Sequence, residues 1–415
     1  MTFDIAASSK TRSTEALIVA LVGALSLSIA MGIGRFAFTP LFPMMLHDGV
    51  IDLHGGSVLA TANYLGYLAG AILCMLLPGL FGRFGRLMPD SARLARFALV
   101  MTGILTLAMA YQMSFLWAVW RFASGIISAI AFVYTSNWCL ARLASLEQGH
   151  LSGVIYTGPG IGIALSGFGA FAMTAANASG SLGWIVFGVS ALALTAAIWP
   201  VFAPAATAVT GAAHVQSSTP HPRKGWSLEE ILLTFAYGLA GFGYIITATF
   251  LPVIARAALP DMGWVDLFWP LFGIAVAIGA LLTRMISITF DRRTLLAICY
   301  VLQGLGILSS LLVPTIGGFV VGSILLGLPF TAITLFGMQE VRRMRPAEPT
   351  AFMGLMTAAY GIGQIAGPPL VSGILARSLA PETGFALALG VAAGSLFFGA
   401  FVFIAMKLHF SLTNM

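Results

Sequence analysis

Gly32-Ile33-Gly34-Arg35-Phe36-Ala37-Phe38-Thr39-Pro40-Leu41-Phe42-Pro43 lies inside an apolar run that begins near Ala16 and ends near Leu46. A helix needs about 20 apolar residues to cross a bilayer, and this run exceeds that length. Yet it holds an arginine well away from either end, with glycines before it and prolines after it. A guanidinium does not shed its proton to escape a low dielectric, so it needs water, a partner or a ligand. At bilayer depth an uncompensated arginine costs about 3 kcal/mol or more. The stretch therefore reads as a membrane span whose arginine is there to be used.

The rest of the 415-residue chain agrees with a membrane setting. It is 59% hydrophobic and 8% charged, where soluble domains average about 25% charged. Its 47 glycines suit helices that pack closely in lipid. The net charge of +6 is not a nucleic-acid signal: the basic residues sit at run ends and in short loops, with no long basic surface interleaved with aromatics. Cys74, Cys139 and Cys299 fall within apolar runs. They lack disulfide or zinc spacing and read as free buried thiols. The first run is too long for a signal peptide's apolar core and reads as a retained helix.

Twelve apolar runs follow one another at roughly 17–46, 56–78, 94–112, 115–141, 150–174, 182–204, 228–256, 264–289, 294–313, 317–344, 350–376 and 384–408. Residues 1–16 read as a polar, disordered cytoplasmic tail. Residues 205–227, with Pro204 just before them and Pro220, Pro222, Arg223 and Lys224 within, read as a cytoplasmic linker between halves 17–204 and 228–415. With the N-terminus inside, most basic residues fall on the cytoplasmic side, Arg256 and Arg377 fall outside, and Arg35 and Arg121 lie within spans. That asymmetry places both termini in the cytoplasm.

The halves also repeat. A shift of 209 sets Gly32, Gly34 and Pro43 over Gly241, Gly243 and Pro252, with Arg35 over Tyr244. A shift of 201 sets Gly153, Gly160 and Gly162 over Gly354, Gly361 and Gly363. A shift of 202 sets Gly125 over Gly327 and Asn137 over Gln339. Such repeats imply a site at the interface between the halves. The fold expected is an all-α membrane protein of twelve transmembrane helices in two pseudo-symmetric six-helix bundles.

These features resemble the major facilitator superfamily, and the Gly32–Pro43 stretch resembles the first-helix signature of its YbfB/YjiJ-type branch. Three further motifs carry the resemblance. Arg83, Gly85 and Arg86 are similar to the loop motif after the second helix, with Gly82 where that motif has aspartate. Arg121-Phe122-Ala123-Ser124-Gly125 is similar to the fourth-helix motif whose arginine is implicated in proton coupling. Gly158-Pro159-Gly160-Ile161-Gly162 partly matches a fifth-helix motif associated with exporters, and Ile163 stands where a second glycine is expected. The resemblance implies a secondary transporter working by alternating access in a bacterial inner membrane. It also implies a small-molecule substrate, proton coupling and a monomer.

No acidic residue and no histidine sits in mid-span; Asp266 and Glu340 come nearest. Arg35 and Arg121 thus lack a mid-span counter-charge, and a planar fork of donors suits a carboxylate, sulfonate or phosphate. Asn63, Tyr64, Asn137, Tyr244 and Gln364 complete the candidate substrate-binding set, and Thr247 and Thr331 are further polar positions in the same runs. The competing reading has Arg121 satisfied by backbone carbonyls and by Tyr64, Tyr67 or Tyr134. Gly32, Gly34, Pro40, Pro43, Gly158, Pro159, Gly162 and Pro252 are gating or packing candidates. The prolines predict kinked helices at matched places in both halves. Gly66/Gly70, Gly158/Gly162 and Gly363/Gly367 have the spacing of helix-packing faces.

A nominal dinucleotide fingerprint at Gly32–Ala37 lacks the strand and acidic residue it requires, so no cofactor is expected. Protease and hydrolase motifs are missing, which argues against an intramembrane enzyme. The reading that remains is a transporter of a small organic anion. Its alternative is a multidrug or neutral-solute exporter in which both arginines serve gating or coupling.

Overall fold

The computed structural model describes residues 2–83, 89–111, 113–202, 225–260, 262–286, 290–345 and 349–410. Eleven described helices are long and apolar enough to cross a membrane: α1 (Arg12–His47), α2 (Leu53–Leu77), α3 (Ser91–Ala108), α4 (Ser114–Ser145), α5 (Gly149–Ala175), α6 (Gly180–Val201), α7 (Leu228–Ala258), α8 (Val265–Leu282), α9 (Arg292–Leu312), α10 (Ile316–Met344) and α12 (Pro381–His409). Between the last two lies α11 (Pro349–Leu375), a 27-residue helix with Pro368 and Pro369 in its interior. The order follows the twelve apolar runs. The expected linker, Gly85 and Arg86 lie wholly or largely outside the described residues.

Helix ends are set by local chemistry. Ser227 and Glu230 form a reciprocal capping box at the start of α7, satisfying backbone donors that have no partner within the helix. Asp90, Ser179, Asp291 and Thr315 accept backbone N–H groups at four other starts. The helix that holds the α1 span extends back to Thr2.

The glycine faces pack as their spacing suggests. Gly32 of α1 meets the backbone of Gly162 on α5, and Gly158 meets the carbonyl of Ala24. Gly363 of α11 meets Gly238 and Gly241 of α7 in the same way. Gly125 of α4 lies on Asn63 and Gly66 of α2, and Gly327 of α10 on Phe272 and Ala275 of α8. Gly162 with Gly363, and Gly125 with Gly327, thus make corresponding contacts between corresponding helices, whereas Gly34 meets α3 and α4 and Gly243 meets α12. Across the two halves of the chain, α2 packs on α11, α5 on α8, and the C-terminal part of α1 on α7.

The expected irregularity appears in the first half and not at the matching place in the second. α1 runs as an α-helix to Leu27, widens into a π-helix over Ser28–Phe36, and resumes as an α-helix over Phe38–His47. By contrast, α7 is one continuous α-helix through Pro252. A further interruption, not read from the sequence, occurs in α10 between Gly327 and Phe330. Extended π-helix is rare and tends to mark functional sites. Here its cause is lateral: carbonyls in the widened turns are taken up by side chains of α4.

Candidate functional site

All nine residues of the π-helical segment are buried. Ser128 Oγ of α4 donates to the Ala30 carbonyl at 3.0 Å, and Ser124 Oγ to the Gly34 carbonyl at 2.8 Å. Arg121 lies one turn away on the same helix face. Its guanidinium donates to the carbonyls of Gly34 (3.3 Å) and Arg35 (3.2 Å) and lies over the Phe38 ring. Of the two readings of Arg121, the carbonyls are found as partners, and no hydrogen bond joins it to Tyr64, Tyr67 or Tyr134. Asn63 of α2 donates in turn to the Arg121 carbonyl at 3.0 Å. Arg121 and Asn63 therefore stand behind α1 and shape its backbone.

Arg35 points the other way, toward the second half of the chain. It is 4% exposed. One terminal nitrogen donates to Gln364 Oε1 of α11 at 2.7 Å. The guanidinium carbon sits 4.0 Å from the Tyr67 ring centroid and 5.4 Å from that of Tyr64. This stacking disperses charge without neutralising it. Gln364 donates its amide N–H to the Tyr244 hydroxyl on α7. Arg35 Nε has no hydrogen-bond partner. Among the described residues, no carboxylate lies within ion-pair distance of Arg35 or Arg121. Two further bonds cross between the halves nearby: Tyr64 OH with Thr249 Oγ1 at 2.9 Å, and Thr39 Oγ1 to the Ala248 carbonyl at 3.0 Å.

The structure thus brings Arg35, Tyr64, Tyr244 and Gln364 together, sets Arg121 and Asn63 behind them, and leaves Asn137 out. Asn137 is exposed and lies 16 residues along α4 from Arg121, about 24 Å at the α-helical rise. Gly34 packs against Thr102 and Ser128, within 3 Å of where its Cβ would stand. Pro159 is buried at the start of the main part of α5, Pro40 and Pro43 lie in the C-terminal part of α1, and Arg83 is exposed at the C-terminal end of the second helix.

Several neighbours were not among the sequence candidates. Tyr360 stacks on Tyr244 with ring centroids 5.7 Å apart, and Phe330 meets Tyr244 edge-on at 5.1 Å. Tyr67 lies three residues after Tyr64, a spacing that shares a helix face. That spacing was a usable sign of a common partner. No such sign marked Trp269 or Phe330, which reach the site only through packing.

The acidic residues are engaged elsewhere. Asp266 takes a two-pronged pair from Arg256 at 2.9 and 2.6 Å. Glu340 binds Arg343 and lies near Arg293. Arg293 is 1% exposed and also meets Asp291, Glu229 and the carbonyls of Met406 and Phe410. Burial opposes ionisation of the Asp291 carboxyl. Hydrogen bonds from the Arg293 side chain and backbone nevertheless hold it below the usual carboxylate range.

Two surface grooves lie apart from this cluster. One of about 600 Å³ runs between α7 and α11 beside Phe235, Phe242 and Ile362, and one of about 480 Å³ lies between the N-terminal part of α2 and the C-terminal part of α11. Neither is lined by Arg35.

Comparison with known proteins places this architecture. The crystal structure of a point mutant of the nucleoside transporter NupG superposes with a TM-score of 0.71 at 15% identity, covering 94% of this chain and 100% of that one. A second NupG structure gives 0.64 at 13%, covering 96% and 100%. At these identities the likeness concerns the fold. No curated protein matches by sequence. The model of the family described as "Uncharacterised MFS-type transporter YbfB" matches residues 27–404. The chain therefore belongs to the YbfB-type family of major facilitator transporters: it is a multi-pass, non-enzymatic membrane carrier of small solutes.

Proposed function

We propose that the protein is a secondary transporter that moves a small organic anion by alternating access, with Arg35 as the anion site. The observation that carries this is a buried guanidinium that donates to the neutral Gln364, has no carboxylate at ion-pair distance among the described residues, and leaves its Nε unpartnered. Gln364 Oε1 stands where one oxygen of a substrate carboxylate would bind. A carboxylate makes charge-assisted bonds roughly twice as strong as neutral ones, so an incoming anion displaces the amide. Displacement breaks the α1–α11 bond and loosens the halves, which links binding to opening. In this reading 17–204 and 228–415 are two six-helix bundles that rock about the site, with both termini cytoplasmic in a bacterial inner membrane.

The test is thermal stability of the purified protein with anionic and neutral metabolites, in wild type and Arg35→Gln. A ligand at about 100 times its dissociation constant adds about 2.7 kcal/mol. Anions are expected to stabilise wild type and not the variant. Equal stabilisation of both by neutral compounds would sink the anion reading. It would favour a neutral-solute carrier, in which Arg35 braces α1 against α11 and Arg121 shapes α1. The engagement of both arginines by protein partners supports that alternative.

A further inference from the structure

A closed circuit of contacts passes through Arg35. Arg35 bonds Gln364, Gln364 bonds Tyr244, and Tyr244 meets Phe330 edge-on. Phe330 meets Phe272 at 6.1 Å, Phe272 stacks on Trp269 at 5.2 Å, and Trp269 meets Phe36 at 6.2 Å. Phe36 lies 5.4 Å from the Arg35 guanidinium, which completes the circuit. It draws on α1, α11, α7, α10 and α8. Five of its seven members present aromatic rings.

Four buried polar atoms on or beside this circuit lack partners: Arg35 Nε, Trp269 Nε1, Thr247 Oγ1 and Thr331 Oγ1. Trp269 is fully buried. Its indole nitrogen only donates, and a buried donor left unpaired loses its hydration without compensation. Thr247 lies one turn from Tyr244 on α7, and Thr331 follows Phe330 on α10. An arginine with an unpartnered Nε and an unpaired indole donor, joined through aromatic side chains, fit a flat ligand rich in acceptors.

Resting on the anion reading above, we propose that the substrate is an aromatic or heteroaromatic monocarboxylate. Its carboxylate replaces Gln364 on Arg35, its ring lies among the circuit's aromatic side chains, and an acceptor on the ring takes the Trp269 N–H. Trp269 is then a specificity-determining residue.

The test compares benzoate, nicotinate, cyclohexanecarboxylate and uridine as ligands of the full-length purified protein, by ligand-induced thermal shift and equilibrium binding. Benzoate and nicotinate are expected to bind at least about tenfold more tightly than cyclohexanecarboxylate. Trp269→Phe keeps an aromatic ring of similar shape. It is expected to weaken nicotinate, which carries a ring acceptor, about tenfold relative to benzoate. Cyclohexanecarboxylate binding as well as benzoate would overturn the flat-ring proposal while leaving the anion reading intact. Uridine binding with no carboxylate binding would overturn both. An unchanged nicotinate-to-benzoate ratio in Trp269→Phe would remove Trp269 from the site. No response to either aromatic acid would overturn the proposal.

Discussion

Gln364 is the residue at which binding and movement meet, because it lies between Arg35 on α1 and Tyr244 on α7. Gln364→Glu places a carboxylate of nearly the same shape on the guanidinium. In a buried setting that pair is held more strongly than the amide contact. The variant is expected to remain folded and to lose solute counterflow in proteoliposomes by at least about tenfold. Counterflow at the wild-type rate would mean that the Arg35–Gln364 contact does not have to break. Arg35 itself was legible in the sequence, since an arginine deep in an apolar run carries a large desolvation cost in any arrangement. Its partner was not: Gln364 is 329 positions away, and nothing local singles it out as the residue opposite Arg35.

At the scale of the element, α1 and α5 pack backbone to backbone. A Cβ on Gly162 would stand 2.5 Å from the Ser28 carbonyl oxygen and 2.8 Å from Gly32 Cα. Neither obstacle is a flexible side-chain end, so the helices must separate. Gly162→Ala is expected to destabilise the protein by about 1–3 kcal/mol, read as a lowered midpoint in thermal unfolding. It is also expected to disturb the π-helical segment that carries Arg35. An unchanged midpoint would show that α5 can move away freely. The glycine faces were readable from their four-residue spacing. The π-helix was not, because its widened turns depend on Arg121, Ser124 and Ser128 arriving from α4. For the same reason Pro252, in the matching position, leaves α7 unbroken.

On the scale of the whole molecule, a cluster of charge joins helix ends within the second half of the chain. Glu229, Asp291, Glu340 and Arg343 surround the buried Arg293, joining α7, α9 and α10. Arg293 also reaches the end of α12 through the carbonyls of Met406 and Phe410. All of these contacts lie within one half of the chain, so they stiffen that half rather than tie it to the other. Removing one member leaves a buried charge underpaired. Asp291→Asn is expected to cost about 3 kcal/mol near pH 7. The native Asp291 pKa is depressed, so its contribution is present above the unfolded carboxylate range. It is lost as pH falls through the native value. The gap between wild type and Asp291→Asn in thermal unfolding should therefore be widest at neutral pH and narrow at acid pH. A gap that does not change with pH would assign the loss to packing.

The sequence alone determined that the chain lives in a bilayer, roughly where its helices begin and end, which glycines face other helices, and that Arg35 demands compensation. Those properties follow from apolar length, spacing and the cost of desolvating charge, which are local. Only the tertiary structure decided that Arg121 turns to the α1 backbone, that Arg35 meets Gln364 among tyrosines, that Asn137 stays apart, and that Trp269 closes the aromatic circuit. Those outcomes depend on which side chains close packing brings within hydrogen-bond reach, and residues hundreds of positions apart acquire that relation only when the helices assemble.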